Sequence, residues 1–423
     1  MARNIPLFIA FRVLFNARFY YPVLGVLFLD LGLTLEQYAL LNVVWAVAII
    51  TLEIPSGALA DAIGRKNMVV FAAALMVAEM AVFAFAPAGG SATLFWWLVL
   101  NRFLSGAAEA SASGADEALA YDSLPLENRE KAWPKVLASL MRWQSASFFV
   151  AMLGGAALFD PSVMSAITGF FDIPPPSSTT RFPVYATVVT ALLCFVVALA
   201  MREPGHSDSK NHPSPRETLR NISRGASHVF QTPQILSLVL AALVCDSFVR
   251  LFLTFSSNYN RLIALPEYAF GVVGSLMGLL GFVAAPLARN LVDKFPIQKN
   301  FGLLAGLILL GLTGTTFAWP LWGVWVLVPL GLSMSLLSFF TSHYLNSWTA
   351  SEFRATVLSF RGVAMNLGYG AIGLAFAGLN SSLRSGFPTD SDNAIFAKAI
   401  FWLPTGFLVA ILAVALAARR LCR

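Results

Sequence analysis

The chain alternates long apolar runs with short polar breaks. Apolar runs of about 20 residues, the length an α-helix needs to cross a bilayer core, recur along the sequence. Proline, glycine and charge clusters mark the breaks, as in "PAGGSAT" and "RSGFPTDSDN". The runs are too long for transmembrane β-strands and lack their strict alternation. The pattern predicts twelve transmembrane helices, near residues 7–29, 36–58, 67–87, 93–119, 134–159, 183–201, 234–257, 267–288, 299–318, 321–346, 355–379 and 394–418.

Composition supports a multi-pass, all-α membrane protein. Hydrophobic residues make up 57% of the chain and charged residues only 12%, whereas a soluble domain carries about 25% charge. The first apolar run begins near Pro6 without a separate leader and cleavage site, so we expect an uncleaved first helix. The net charge of +6 is better explained by orientation in the membrane than by binding to nucleic acid.

The distribution of basic residues predicts the topology. Most of the 28 Lys and Arg fall in segments on the side of the N-terminus, and the opposite segments contain few. This bias places both termini in the cytoplasm, and we expect a bacterial inner-membrane protein. The polar insert 202–233 predicts a linker between two six-helix domains, 1–201 and 234–423, with a short amphipathic helix near Glu217 to Val229. In the outer segment 160–182, "PSVMSAITGFFDI" is expected to rest on the membrane surface and "PPPSSTT" to be irregular.

Cysteine and histidine usage predicts no metal site and no cofactor. The cysteines lie in or beside apolar runs and are expected to be small core residues: Cys194, Cys245 and Cys422. Three histidines in the linker have irregular spacing, which favours solvated side chains over metal ligands: His206, His212 and His228.

A short motif, "EIPSGALADAIGRK", follows the second predicted span. Gly57 is expected to let helices approach closely, and Gly64 to permit a tight reversal. Asp61 can meet the positive end of a neighbouring helix, and Arg65 can bridge to carboxylates at the same end of the bundle.

These residues resemble the loop signature between helices 2 and 3 of the major facilitator superfamily, G-x-L-A-D-x-x-G-R-K. The resemblance implies twelve helices in two pseudo-symmetric six-helix bundles that work by alternating access. It also implies that Asp61 contacts the segment beginning near Arg354, and that Arg65 pairs with Asp122. The implied cytoplasmic gate comprises Gly57, Asp61, Gly64, Arg65, Lys66, Asp122 and Arg354.

The fourth predicted span carries the densest intramembrane charge. Arg102, Glu109 and Asp116 are spaced seven apart, so a continuous helix would place them on one face, as an aqueous path requires. Small residues between them are expected to permit close helix contact. The pattern R-x3-G-x2-E-A looks like helix 4 of several facilitator families, in many of which the Arg tunes a proton-accepting acid. The alternative is a static Arg–carboxylate pair.

Further polar residues within the spans are candidates for the transport path. Glu53 is a candidate proton site or gate partner, and Glu79 is a candidate with no obvious partner. Asp246 and Arg250 are spaced i,i+4, which also fits a purely structural salt bridge. The candidates for the substrate cavity are Asn16, Arg18, Tyr20, Asp246, Arg250, His343, Arg361 and Asn366.

These observations favour a monomeric secondary transporter of a small organic molecule, with protons as coupling ion and lipids as surroundings. No nucleotide-binding loop is present to supply energy from ATP, and HExxH, GxSxG and paired cysteines are absent, so no enzyme is expected. Proton-coupled export of an amphipathic compound is the first hypothesis. Proton-coupled uptake of an organic anion or nutrient is the alternative. A passive channel or lipid scramblase is an alternative of another class.

Overall fold

The structure is a computed structural model that describes residues 4–125, 127, 129–203, 220, 227, 229–349 and 351–421, without the side chains at positions 54, 58, 61, 62, 130, 351–356 and 359. Throughout these residues the regular structure is helical, with no strand. Two 3-10 helices span Tyr21–Val23 and Trp322–Val326. The α-helices are α1 Asn4–Asn16, α2 Leu24–Asp30, α3 Leu35–Ile63, α4 Arg65–Ala84, α5 Ala92–Ala112, α6 Ala115–Asp122, α7 Arg129–Phe159, α8 Pro161–Phe170, α9 Phe182–Ala200, α10 Pro233–Thr254, α11 Ser256–Leu262, α12 Glu267–Lys294, α13 Ile297–Thr315, α14 Leu327–Trp348, α15 Ser351–Gly386, α16 Asp392–Phe401 and α17 Leu403–Leu421.

Eleven helical segments of the described chain are long and apolar enough to cross a membrane. They correspond in order to eleven of the twelve predicted spans. The remaining one is α5, which has 21 residues and is therefore about 31 Å long. The polar residues Asn101, Arg102 and Glu109 lower the hydropathy of α5. Its length and its position in the chain nevertheless identify α5 as the fourth predicted span, which completes the set of twelve.

The prediction of one continuous helix over 93–119 is wrong. Helix α5 ends at Ala112, and Gly114 has φ +77°, outside the helical region. Helix α6 then begins at Ala115. Because the two helices are separate, the seven-residue spacing no longer places Asp116 on the face that Arg102 and Glu109 share.

The predicted loop after the second span is much shorter than expected. Helix α3 continues to Ile63, and α4 begins at Arg65. The reversal takes place at Gly64, whose φ of +91° is accessible to glycine at little cost and confirms its predicted role. At Gly57 no close approach is seen among the described residues, because a Cβ added there meets none of their atoms within 4 Å.

Two compact units can be distinguished. The first comprises Met1–Leu33, Val44–Thr218 and Glu267–Ser275. Within it, α4 packs against α5 and α9, and α1 packs against α7 and α9. A Cβ on Gly106 would lie 2.6 Å from the Cβ of Ala48, so α5 approaches α3 closely at this glycine. The expectation that small residues allow close helix contact here is confirmed.

The second unit comprises Thr34–Val43, Leu219–Pro266 and Leu276–Arg423. Helix α10 packs against α14, α15 and α17. The ring of Phe255 contacts Tyr38, Phe376 and Phe396, with ring centroids 4.9, 5.0 and 5.9 Å away. This aromatic cluster packs the first turns of α3, which belong to the second unit, against the rest of that unit. The domain boundaries at 201 and 234 stay a prediction.

The segment 160–182 contains helix α8, followed by residues without regular structure at "PPPSS", as predicted. The location of α8 on the membrane surface stays a prediction. Asp160 caps α8 by accepting hydrogen bonds from the backbone N–H of Ser162 and Val163. Burial acts to raise the pKa of Asp160. Hydrogen bonds from Ser162, Tyr268 and Val163 outweigh burial and hold the pKa of Asp160 below its ordinary value. Most of the linker, including the predicted helix near Glu217 to Val229 and the three histidines, lies outside the described residues.

Candidate functional site

A buried ion pair holds α4 to the segment after α1. Arg18 Nη1 lies 2.8 and 2.7 Å from the two carboxylate oxygens of Glu79. Tyr20 accepts a hydrogen bond from the same Arg18 nitrogen at 3.1 Å. The side chains of Arg18 and Glu79 are only 2% and 0% exposed. The expectation that Glu79 lacks a partner is therefore wrong, because its partner is 61 residues away in the sequence.

The burial of this pair bears on two predicted substrate contacts. Arg18 and Tyr20 are both buried, and the guanidinium is directed to Glu79. Asn16 is exposed, and its side chain donates to the backbone oxygen of Arg12 at 2.8 Å. This geometry favours a structural role for the pair, since both charges are already compensated.

Arg102 and Glu109 lie on one face of α5 but are not paired with each other. The guanidinium of Arg102 lies over the ring of Phe28 at 5.0 Å, a cation–π contact. Its Nε and Nη2 are buried and have no hydrogen-bond partner within the described part of the chain. Glu109 is half-buried, and no ion pair or hydrogen bond to its carboxylate occurs among the described residues.

Asp116 belongs to a different group. Arg12 Nε lies 2.6 Å from its carboxylate, and Arg12 Nη2 lies 3.2 Å from Glu117. One arginine of α1 thus binds two acids in the first turn of α6, where negative charge is favourable. Sequence reasoning missed Arg12, because its acidic partners lie more than 100 residues away in the sequence.

The helix ends near Gly64 carry a polar network within the first unit. Arg65 pairs with Asp122, as the family resemblance implied, and Arg129 Nη1 lies 3.4 Å from the same carboxylate. Glu203 accepts the backbone N–H groups of Arg65 and Lys66 at 3.1 and 2.7 Å, so a carboxylate caps the positive end of α4. Sequence reasoning missed Glu203.

The remaining predicted gate residues, path residues and cysteines have the following positions. The side chains of Asp61 and Arg354 lie outside the described residues, so their predicted contacts stay predictions. Glu53 is exposed. Cys194 and Cys245 are buried free thiols, which confirms their predicted core positions, and Cys422 lies outside the described residues.

The second unit contains a charged cavity of about 280 Å³. Four predicted candidates line it together: Asp246, Arg250, Arg361 and Asn366. Arg250 Nη2 lies 2.8 Å from Asp246, and its Nη1 donates to Asn366 at 3.0 Å. The ring of Tyr369 lies 5.4 Å from the Arg250 guanidinium. These contacts hold Arg250 in one orientation.

Arg361 is different from Arg250, because it forms no ion pair or hydrogen bond with the described residues. Two arginines face one aspartate across the cavity, so its formal charge is positive. Met334, Leu337 and Met365 supply an apolar wall. A cavity of this kind suits a small organic molecule with one anionic group.

His343 lies in a neighbouring cavity of about 510 Å³, lined by small and hydroxyl-bearing residues of α12 and α14. Its ring stacks on Phe339, with centroids 6.3 Å apart. Ser338 lines both cavities, so α14 presents adjoining polar surfaces to each.

A second ion-pair network at the other helix ends of the second unit was not predicted. Arg384 Nε lies 2.9 Å from Glu36 in the first turn of α3, and Arg384 also pairs with Asp392. Lys398 lies 2.7 Å from Asp390. Sequence reasoning did not identify any of these ion pairs.

Comparison with solved structures shows the same fold in known transporters. The structure is similar to the nucleoside transporter NupG (TM-score 0.75, 12% identity, 99% of each chain covered). It is also similar to a bacterial homolog of the human lysosomal transporter Spinster (TM-score 0.73, 17% identity, covering 99% of this chain and 97% of that one). A D-xylose–proton symporter gives a TM-score of 0.63 at 15% identity, covering 96% of this chain and 97% of that one.

A comparison with curated proteins finds no match. The family model described as Major Facilitator Superfamily matches residues 7–347, which include the loop signature and ten of the twelve predicted spans. The predicted fold class and the family resemblance are thereby confirmed. The chain belongs to the Major Facilitator Superfamily and is a multi-pass membrane transporter.

Proposed function

We propose that this transporter carries a small organic anion with an apolar part into the cell, together with a proton, in a bacterial inner membrane. The observation that carries the proposal is the positive cavity in which Arg361 has no ion pair or hydrogen bond to any described residue, while Arg250 is held by Asp246 and Asn366. An unpaired guanidinium presents several donors in a planar arrangement that matches a carboxylate.

Electrostatics supports symport for such a substrate. Moving one negative charge into a cell against 100 mV costs about 2.3 kcal/mol. A proton that enters with the anion removes this cost and adds the pH gradient as a driving force. Glu109 is the proton site in this proposal, because its half-buried carboxylate has no partner within the described part of the chain.

Sequence reasoning placed export of an amphipathic compound first. The charge of the cavity leads us to prefer uptake, because an anion leaves a negatively charged cell without the help of a proton. Export by antiport remains the second candidate, and the apolar wall of the cavity supports it. In a vesicle assay the two differ in the direction in which protons move when substrate enters. A passive channel or scramblase would move its cargo regardless of an imposed pH gradient.

The substrate class is tested with matched ligand pairs. Purified protein is heated in the presence of aromatic and aliphatic carboxylates, such as benzoate, and of the corresponding amides, such as benzamide. We expect one or more carboxylates to raise the unfolding temperature while the matching amides do not. Arg361→Gln is expected to remove this stabilisation. Arg289→Gln, a charge change on α12 outside the cavity lining, is the control. Equal effects of acid and amide would contradict the proposal.

A further inference from the structure

An apolar groove of about 840 Å³ opens in the second unit between α10, α13 and α17. Helix α10 packs more extensively against α17 than against α13, which leaves room between them. Gly302 and Gly306 on α13 face this room, since a Cβ added to either meets nothing within 4 Å. Among the described residues that line the groove there is no residue of the charged cavity, and Glu109 is not among them either.

The polar lining of the groove is confined to one end. Gln234 and Ser237 lie near the start of α10, and Gln298 lies in the first turn of α13. Arg419 lies in the last turn of α17. Trp348 at the end of α14 completes this end of the lining. No acidic residue is among the described residues that line the groove. The groove is thus an apolar channel with a cationic and amide-bearing mouth.

The length of the groove matches one leaflet of a bilayer. Its lining extends along α13 from Ile297 to Leu309 and along α17 from Phe407 to Arg419. Each stretch advances twelve residues, or about 18 Å at 1.5 Å per residue. One leaflet contributes about half of a 30 Å hydrocarbon core, or roughly 15 Å. A hydrocarbon chain lying along the groove would therefore have its polar end at Arg419.

The charge at the mouth favours a lipid over a helix as the occupant. A phospholipid joins a hydrocarbon chain to a phosphate, so one molecule matches both the apolar length and Arg419. Its acyl chain can lie against Gly302 and Gly306, where a Cβ would meet nothing within 4 Å. An Arg at the mouth recognises phosphate, and basic pockets between transmembrane helices are typical sites for anionic headgroups.

We propose that this groove binds one acyl chain of an anionic phospholipid, whose phosphate contacts Arg419. Arg420 and Lys299, exposed at the same helix ends, add positive charge near the headgroup. The lipid fills the space between α10 and α13 and so holds α13 in place. This site is independent of the charged cavity and of the proposed substrate.

The test uses native mass spectrometry of the full chain, purified without added lipid and then titrated with phosphatidylglycerol or phosphatidylcholine. We expect the wild type to retain phosphatidylglycerol about tenfold more strongly than phosphatidylcholine. Gly306→Leu is expected to lose this binding, because its side chain fills the groove. Gly378→Leu is the matched control, since Gly378 is exposed, also has open space around its Cβ, and lies on α15 outside the groove.

Arg419→Gln tests the contact with the lipid headgroup separately from the binding of the acyl chain. This variant is expected to bind both lipids equally, because the groove remains open while the charge is lost. If Gly306→Leu does not fold, Ala415→Leu fills the groove from α17, where Ala415 is exposed. Undiminished binding of phosphatidylglycerol by a folded groove-filled variant would overturn the proposal. Retention of detergent alone, or a dimer that Gly306→Leu dissociates, would also overturn it.

Discussion

Removing Glu79 from its buried ion pair with Arg18 is expected to cost more stability than removing Arg18. Glu79→Leu leaves the Arg18 charge buried with only the Tyr20 hydroxyl and the Phe15 ring, 5.5 Å away, as contacts. An uncompensated buried charge costs about 3–5 kcal/mol. Arg18→Met is expected to be milder, because the Glu79 carboxylate keeps the hydrogen bond from the Tyr20 hydroxyl at 3.4 Å. We expect it to cost about 1–3 kcal/mol, the penalty for an unsatisfied buried polar group.

The double variant Arg18→Met/Glu79→Leu removes both charges and replaces them with side chains of similar volume. Such replacements are often neutral or stabilising. The double variant should therefore be more stable than Glu79→Leu alone. If the double variant costs nothing, the coupling energy equals the sum of the two single costs, about 4–8 kcal/mol. Asn101 donates to the backbone oxygen of Glu79, so this hydrogen bond remains in every variant.

The assay uses the buried cysteines as separate reporters. Cys194 lies in the first unit and Cys245 in the second, and both are 0% exposed. With Cys245 and Cys422 replaced by serine, a maleimide dye reacts with Cys194 only when the first unit opens. Heating each variant in detergent with this dye gives its relative stability. The control is the partly exposed ion pair between Lys398 and Asp390. Removing this pair should cost under about 1 kcal/mol of stability, measured with Cys245 as the reporter. Additive single effects, or a Glu79→Leu variant as stable as the wild type, would refute the reasoning.

Three further predictions follow from helix ends. Gly114→Ala should destabilise the first unit by about 1 kcal/mol or more, since φ is +77°; the Cys194 dye assay measures it, and an unchanged unfolding temperature would count against a strained junction. Glu203→Gln weakens the cap of α4 and should lower stability by about 0.5–1 kcal/mol, a loss that high salt should diminish in the same assay. Asp160 has a lowered pKa, so the stability it contributes is complete above its ordinary value of 3.8 and is lost as the pH falls through the folded value. Asp160→Asn should therefore flatten the unfolding temperature against pH below about pH 4, and parallel profiles for variant and wild type would contradict this.

Local sequence patterns predicted the helices well because hydrophobic length and turn chemistry are local properties. The spans follow from runs of apolar residues, and the reversal at Gly64 follows from a residue that tolerates positive φ. The break at Gly114 was missed, since an isolated glycine inside an apolar run is compatible with either a helix or a turn.

Partners of buried charges were much harder to predict. Glu79 and Arg18 are distant in sequence, and so are Asp116 and Arg12. No periodicity within one helix shows which residue of another helix faces it. The pair Asp246–Arg250 was predictable because both residues lie on α10 at i,i+4 spacing. The pairing of Arg65 with Asp122 was predicted only through the family resemblance.

The proposed coupling of an organic anion to a proton is tested most directly by following both species in vesicles. The protein is reconstituted with a pH-sensitive dye inside, the membrane potential is clamped, and the carboxylate that stabilises the protein best is added outside. Protein-free vesicles measure leakage of the undissociated acid. We predict that anion uptake acidifies the lumen beyond this leakage, and that Glu109→Gln abolishes this coupled acidification. Protein-dependent uptake without acidification, or alkalinisation by outward proton movement, would contradict symport, as would a Glu109→Gln variant that behaves like the wild type.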